Sequence, residues 1–395
     1  MRSPSEATLK GPGFPRSQLS SDPSTWRTQF FALTTVRDLA ALLEVEYRLL
    51  VWVVFANRAA YYDRFEIPKR SGDKRQIVAP KGSLRILQSK LANILSEVYD
   101  RKPPVHGFTK TKSIVTNAQA HRRSNYVLNI DLNECFPTIH FGRVRGMFRG
   151  RPYDRPDPVA TALAAICCID DRLPQGAPTS PIVSNMLCGK LDSELLRLAA
   201  AYECTYTRYA DDITISTRRR TFPDIIASID PQDASSVIVG DLLRSVIERN
   251  GFSINSKKGR LQHRDRRQMV TGLIVNEKPN VPRRLVRQVR SMLHAWGRYG
   301  LPAAQSEFTT AWDHRPNTRR QPETSFVDVL GGRIAFIQQV RGADDRTGTT
   351  LKNRFRSLLN QTHGLRKRRT PDPYVRRGDL FNALEPQWVS VDANS

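Results

Sequence analysis

Two β-rich stretches, Thr205–Ala210 and Ile213–Thr217, are separated only by Asp211 and Asp212. Runs of β-branched and aromatic residues with so short a break read as a hairpin carrying two carboxylates at its tip. An isolated Asp-Asp pair is ordinarily a structural turn, so its setting decides what it means. About eighty residues earlier, Tyr126–Ile130 is a short apolar run ending at Asp131 and reads as a buried strand. Three carboxylates brought together repel one another and are costly without cations. A chain that folds this way is therefore built to hold positive charge at that point.

The overall charge points to a second kind of partner. Lys and Arg number 62 against 38 Asp and Glu, a net charge of +24. Such an excess destabilises the compact state by self-repulsion and is usually kept for an anionic partner. Nucleic acid is the first candidate and an anionic membrane surface the second; a merely soluble basic protein is the plain alternative. The longest apolar run, Leu49–Ala56, is far too short to span a bilayer. The N-terminus lacks the layout of a signal peptide. Five cysteines without CxxC spacing (Cys135, Cys167, Cys168, Cys188 and Cys204) fit neither a zinc site nor a disulfide framework. A soluble, cytoplasmic protein with free thiols and no membrane partner is expected.

Along the chain, the first 28 or so residues are rich in Ser and Pro and read as a loose lead-in. Leu33–Tyr62 has helical apolar spacing, followed by a charged turn at Lys69–Arg75. Leu84, Leu87, Leu91, Ile94, Leu95 and Val98 predict an amphipathic helix. Ile182, Met186, Leu187, Leu191, Leu195 and Leu198 predict another, entered through the Pro178–Pro181 turn. From Lys278 to Ser306 there is no acidic residue. Within that span Arg283, Arg287, Arg290, His294 and Arg298 fall on one helical face, and Val286, Val289, Leu293 and Trp296 on another. Solvated basic faces usually interleave Glu with Arg, so this one is expected to track phosphates. A further basic run, Arg366–Arg369, lies in the tail.

Magnesium wants hard oxygen ligands and binds through a few carboxylates plus substrate phosphates. Polymerising nucleotides uses two such ions to clamp the attacking and leaving oxygens. Asp131, Asp211 and Asp212 supply that ligand set. The segment Tyr206-Thr207-Arg208-Tyr209-Ala210-Asp211-Asp212-Ile213-Thr214 closely resembles the catalytic hairpin of reverse transcriptases. Leu173-Pro174-Gln175-Gly176-Ala177-Pro178-Thr179-Ser180-Pro181 and Asn129-Ile130-Asp131-Leu132-Asn133-Glu134-Cys135-Phe136-Pro137 resemble two further motifs of that family, in the right order and spacing. Asn117-Ala118-Gln119-Ala120-His121 and Val270-Thr271-Gly272 are similar to signatures of the retron subgroup. Lys69–Pro80 resembles its basic fingers motif. The likeness runs from about residue 60 to 300, with a looser thumb-like match to about 365. Asn133-Glu134-Cys135 departs from the commoner Lys-Asp-Phe.

The resemblance implies roles for single residues. Asp131 and Asp211 are the principal metal ligands, with Asp212 in support, for two Mg2+ ions that Mn2+ can replace. Phe136 is the steric gate beside the sugar's 2′ position. Gln175, with Gly176, lies against the incoming nucleotide, and Arg75, with Lys74 nearby, holds its phosphates; a planar Arg fork suits that task. Lys258 protonates the leaving pyrophosphate. Asn117 and His121 grip structured RNA, and Val270, Thr271 and Gly272 belong to the same RNA-binding set as Arg283, Arg287, Arg290 and Arg298.

The expected architecture is α+β, a right-hand polymerase fold of fingers, palm (an antiparallel sheet backed by helices) and helical thumb. Its divisions fall at 1–60 (N-terminal extension), 61–275 (fingers and palm), 276–365 (RNA-binding thumb) and 366–395 (basic tail). By resemblance, the activity is RNA-directed DNA synthesis on part of a cognate structured non-coding RNA. It is primed from a guanosine 2′-hydroxyl, gives branched RNA-linked DNA, and serves anti-phage defence with an effector protein. Partners are therefore that RNA, its DNA product, deoxynucleoside triphosphates and the effector. No ribonuclease H segment is expected. The rivals are another group II intron-like reverse transcriptase, an RNA-binding scaffold with a vestigial site, and an RNA-dependent RNA polymerase. Phe136 and the Tyr-Ala before the Asp pair disfavour the last.

Overall fold

The computed structural model describes residues 18–56, 58–68, 73–233, 236–255, 258–313 and 325–367. The lead-in up to residue 17, residues 69–72 of the charged turn, and the expected basic tail from 368 on lie outside the described residues. The chain divides into two compact units. One is built from the described parts of residues 1–113 and 125–261, the other from those of 114–124 and 262–395.

The first unit opens with α1 (Pro23–Phe31), α2 (Val36–Leu42) and α3 (Tyr47–Val51), continuing into a wider turn at Trp52–Ala56. The helical spacing read over Leu33–Tyr62 is thus split into short pieces. Thr35 and Asp38 close a capping box that starts α2, and the chain leaves that helix through Glu44, whose φ of 51° is not helical. These helices pack on the rest of the unit, with Trp26, Phe30, Leu39 and Leu43 all buried in its core. Arg155 ties them down by donating to the carbonyls of Phe30, Phe31 and Leu33. The N-terminal stretch is therefore part of this core.

Next come the antiparallel hairpin β1 (Tyr62–Pro68) and β2 (Lys74–Pro80), then α4 (Gly82–Val98). Every apolar residue that predicted α4 is buried. After α5 (Ile114–Ala120), which belongs to the second unit, β3 (Tyr126–Asp131) leads to α6 (Phe141–Arg149) and α7 (Asp157–Cys167). The single helix expected through Ile182–Leu198 is two, α8 (Ser180–Leu187) and α9 (Gly189–Ala201), broken at Cys188. Then follow β4 (Cys204–Tyr209), β5 (Asp212–Thr217), a small hairpin of β6 (Ala227–Ile229) and β7 (Val237–Val239), α10 (Asp241–Arg249) and β8 (Arg260–His263). The central sheet has the order β4-β5-β3-β8, antiparallel where β5 meets β3 and β4. All five cysteines are free, and all but Cys204 are buried.

In the second unit, β9 (Met269–Val270) and β10 (Leu273–Ile274) form a tight hairpin, and α5 packs on both strands. Its two-residue turn is Thr271-Gly272, with φ of 47° and 79°. Positive φ at both central positions matches the twist of paired strands, which explains a Gly at that place. The helices α11 (Arg283–Asp313), α12 (Phe326–Arg341) and α13 (Arg346–Lys367) pack mutually. Trp296 stands edge-on to Phe326 and Phe355 at their centre. Among the described residues no helix is long and apolar enough to cross a membrane.

Candidate active site

In the pairing of β3 with β5, Asp131 stands opposite Asp212. In the pairing of β4 with β5, Tyr209 stands opposite Asp212, leaving Ala210 and Asp211 as the two-residue turn. The backbone N–H of Leu132 donates to the Asp211 carbonyl at 3.1 Å, joining the turn to the chain leaving β3. Each of the three residues can present one carboxylate oxygen so that all three lie within 4.8 Å of one another.

Crowding of like charge shows in the protonation equilibria. Burial pushes the Asp211 carboxyl up, the Asp131 charge adds to it, and Lys258 and Arg75 oppose it. Asp212 keeps one side open to solvent. Even so, the protein packed around its carboxyl, together with the charges of Asp211 and Asp131, pushes it up to about 7. The Lys258 ammonium sits 2.9 Å from Asp131 Oδ2. Asn255 approaches the same oxygen through its side chain at 3.4 Å, and its backbone N–H donates to the Asp131 carbonyl at 2.8 Å. A cluster of hard oxygen donors that already draws an ammonium is suited by its chemistry to a divalent cation.

Of the residues expected on the nucleotide side, Lys74 and Arg75 lie on β2, and Gln175 and Gly176 lie against it. Val78 donates to the Gln175 carbonyl at 3.0 Å, so the Leu173–Pro181 segment lies along that strand. Gly176 has φ of +116°, and a Cβ there would come within 3.0 Å of the Ile77 side chain. The backbone there favours glycine, and a side chain would also have to displace Ile77. Ser180 Oγ donates to the Pro174 carbonyl at 2.6 Å and closes the loop on itself. Arg75 is exposed, and its charge is felt at Asp211. Lys74 is engaged with Glu66 at 2.8 Å in an exposed ion pair. Phe136 is half-buried against the core, in the turn between β3 and α6.

The residues expected to bind RNA lie in the second unit and differ among themselves. Arg283, Arg287, Arg290 and Arg298 are all exposed on α11, while Val289, Leu293 and Trp296 are buried on its other face. Asn117 and His121 are enclosed, at 1% and 0% exposure, as is Val270. As placed, Asn117 and His121 present no surface to an RNA, because they lie in or just beyond α5, which packs on the β9–β10 hairpin. Neither polar atom of the Asn117 amide meets a hydrogen-bond partner among the described residues. Thr271 is half-buried and donates to the Ile114 carbonyl at 3.2 Å.

Residues 67–275, more than half of the chain, match the family described as reverse transcriptase (RNA-dependent DNA polymerase). The Retron Ec86 reverse transcriptase of Escherichia coli is 35% identical, with 69% of this chain aligned to 82% of that protein. The chain belongs to the retron-type reverse transcriptases. Two relatives from Myxococcus xanthus, the Retron Mx162 and Retron Mx65 reverse transcriptases, are 35% and 33% identical over 66% and 74% of this chain. The chain spans only 59% and 66% of their length. Its mixed helices and antiparallel sheet are those of the right-hand polymerase fold.

Sequence reasoning passed over Asn255, three residues before Lys258. It also passed over Arg208, Asp192 and Asn185, which lie behind the acidic turn. Arg208 was visible within the hairpin motif. No spacing links it to Asp192 or Asn185, because the contacts join a strand to two separate helices.

Proposed function

We propose that this retron-type reverse transcriptase is an RNA-directed DNA polymerase acting on a cognate structured non-coding RNA. In this reading it starts from a guanosine 2′-hydroxyl and leaves branched RNA-linked DNA within an anti-phage defence system. The observation that carries the polymerase reading is the convergence of Asp131, Asp211 and Asp212 within 4.8 Å, neutralised only in part by Lys258. The names of the relatives support the retron reading.

Asp131 and Asp211, with Asp212 beside them, would hold the metal. When bound, a pair of divalent ions, expected to be Mg2+ with Mn2+ as a substitute, supplies charge stabilisation for the attacking and leaving oxygens. The chain's own residues do the rest. Arg75, exposed beside the acidic turn, would fork onto the triphosphate. Gln175 and Gly176, laid along β2, would form the floor against the incoming nucleotide. Phe136 would fill the space beside the sugar's 2′ carbon. The Lys258 ammonium, poised on Asp131, would give its proton to the departing pyrophosphate. The exposed arginines of α11 would follow the phosphates of the template duplex.

Sequencing of nucleic acid that co-purifies with the protein tests this. A short DNA joined through a 2′ linkage to a structured RNA is the expected result. Unbranched DNA would redirect the reading to another group II intron-like reverse transcriptase. RNA alone, with no primer extension on any template, would favour the scaffold.

A further inference from the structure

The Arg208 side chain is 1% exposed and that of Asp192 is fully enclosed. Nε and Nη2 of Arg208 donate to the two Asp192 oxygens at 2.7 and 2.8 Å. Its third nitrogen, Nη1, is shared between Asn185 Oδ1 at 3.1 Å and the Ala210 carbonyl at 2.8 Å. The Tyr206 hydroxyl donates to Asp192 Oδ1 at 2.7 Å, and Asn185 Nδ2 to the Gly107 carbonyl at 2.9 Å. The strand is also gripped through its backbone. Arg208 N–H donates to the Pro104 carbonyl, and His106 N–H to the Arg208 carbonyl. Gly107 presses so closely on the turn that a Cβ there would stand 2.3 Å from the Ala210 nitrogen.

All of this converges on a strained residue. Ala210 has φ of 57°, a left-handed conformation that a non-glycine residue keeps only when its surroundings over-determine it. The next two residues are Asp211 and Asp212. A buried ion pair is a weak source of stability, since well-packed apolar side chains do as well, but it can fix one geometry against others.

We propose that Arg208, held by Asp192 and Asn185, is a positioning residue that clamps the Ala210 carbonyl and so sets the spacing of Asp211 and Asp212 for cation binding. It touches neither substrate nor metal. Its catalytic consequence rests on the polymerase reading, but its structural and metal-binding consequences do not.

Arg208→Lys keeps a positive charge for Asp192 and cannot also reach the Ala210 carbonyl. Amide hydrogen exchange is followed at residues 209–213, and Mn2+ affinity of the protein alone by electron paramagnetic resonance. Faster exchange at those amides is expected, with Mn2+ binding weakened about ten- to a hundredfold, as loss of a ligand's support commonly does. In primer extension the half-saturating Mg2+ should rise by a similar factor, with kcat recovering at high Mg2+ and KM for the nucleotide little changed. A folded variant with unaltered exchange and Mn2+ affinity would overturn the clamp. Should Arg208→Lys fail to fold, Asn185→Ala, which frees one side of Nη1, is read in the same two measurements, and no change there overturns it equally. If the wild type extends no primer while exchange and Mn2+ affinity shift as expected, the clamp stands and the polymerase reading falls.

Discussion

A carboxylate facing another across an antiparallel pair works against the sheet, and Asp131 faces Asp212 in this register. With its folded pKa raised to about 7, Asp212 lends relative stability to the metal-free fold below its ordinary value near 4. That contribution is lost as pH rises through about 7. Asp212→Asn should therefore raise the melting temperature of the metal-free protein more at about pH 8 than at about pH 5. Equal shifts at both would mean that the carboxyl is not perturbed. Asp211→Asn removes a proposed metal ligand, and charge stabilisation of several kcal/mol corresponds to roughly a thousandfold loss of primer extension. Ordinary extension by that variant would sink the polymerase reading. Phe136, half-buried in the turn that follows β3, is tested by Phe136→Ala. The ratio of ribo- to deoxynucleotide incorporation should rise about tenfold or more if the ring excludes a ribose hydroxyl. An unchanged ratio assigns the ring to the core.

At the scale of elements, α11 and α5 carry opposite kinds of expectation. Four of the five arginines of α11, Arg283, Arg287, Arg290 and Arg298, form the exposed stripe, and none of them is in an ion pair among the described residues. Each should neutralise about one phosphate, so log affinity for RNA should fall with log salt by about 0.7 to 0.9 per contact. Changing Arg287 and Arg290 together to Gln should flatten the slope by roughly 1.4 to 1.8 units, for cognate and unrelated RNA alike. An unaltered slope would make the stripe a solvated surface. Asn117 on α5 is enclosed with its amide unpaired among the described residues. Replacing an unpaired buried amide by an apolar group of similar shape is neutral or stabilising, so Asn117→Leu should keep or raise the melting temperature. If Asn117 also serves RNA recognition, as the retron resemblance implies, the same variant should lower cognate preference at constant salt slope. Preference unchanged would leave it a packing residue.

At the scale of the molecule, an excess of 24 positive charges accounts for general attraction to nucleic acid, and the acidic site is a local exception to it. Asp131, the hairpin of β4 and β5, and α4 were legible in the sequence because each is fixed locally. Apolar alternation makes the strands, helical spacing makes α4, and acidic residues at their ends stand out against that pattern. The family motifs around Asp131, Gln175 and Asp211 were legible for the same reason: their residues are contiguous. The stripe of α11 was legible because one helix carries it whole.

Other features waited for the fold. The breaks near Glu44 and at Cys188 depend on local backbone turns and packing that apolar spacing does not record. Whether Asn117 and His121 face solvent or the β9–β10 hairpin depends on which neighbour α5 meets. The pairing of Lys258 with Asp131, and the grip of Asp192 and Asn185 on Arg208, join residues far apart in the chain. The sequence by itself determined which groups carry charge and which segments form strands and helices, since those follow from side-chain chemistry and short-range geometry. Only the tertiary structure decided which charges neutralise one another and which polar groups are enclosed, because both depend on distances that chain folding alone brings below 4 Å.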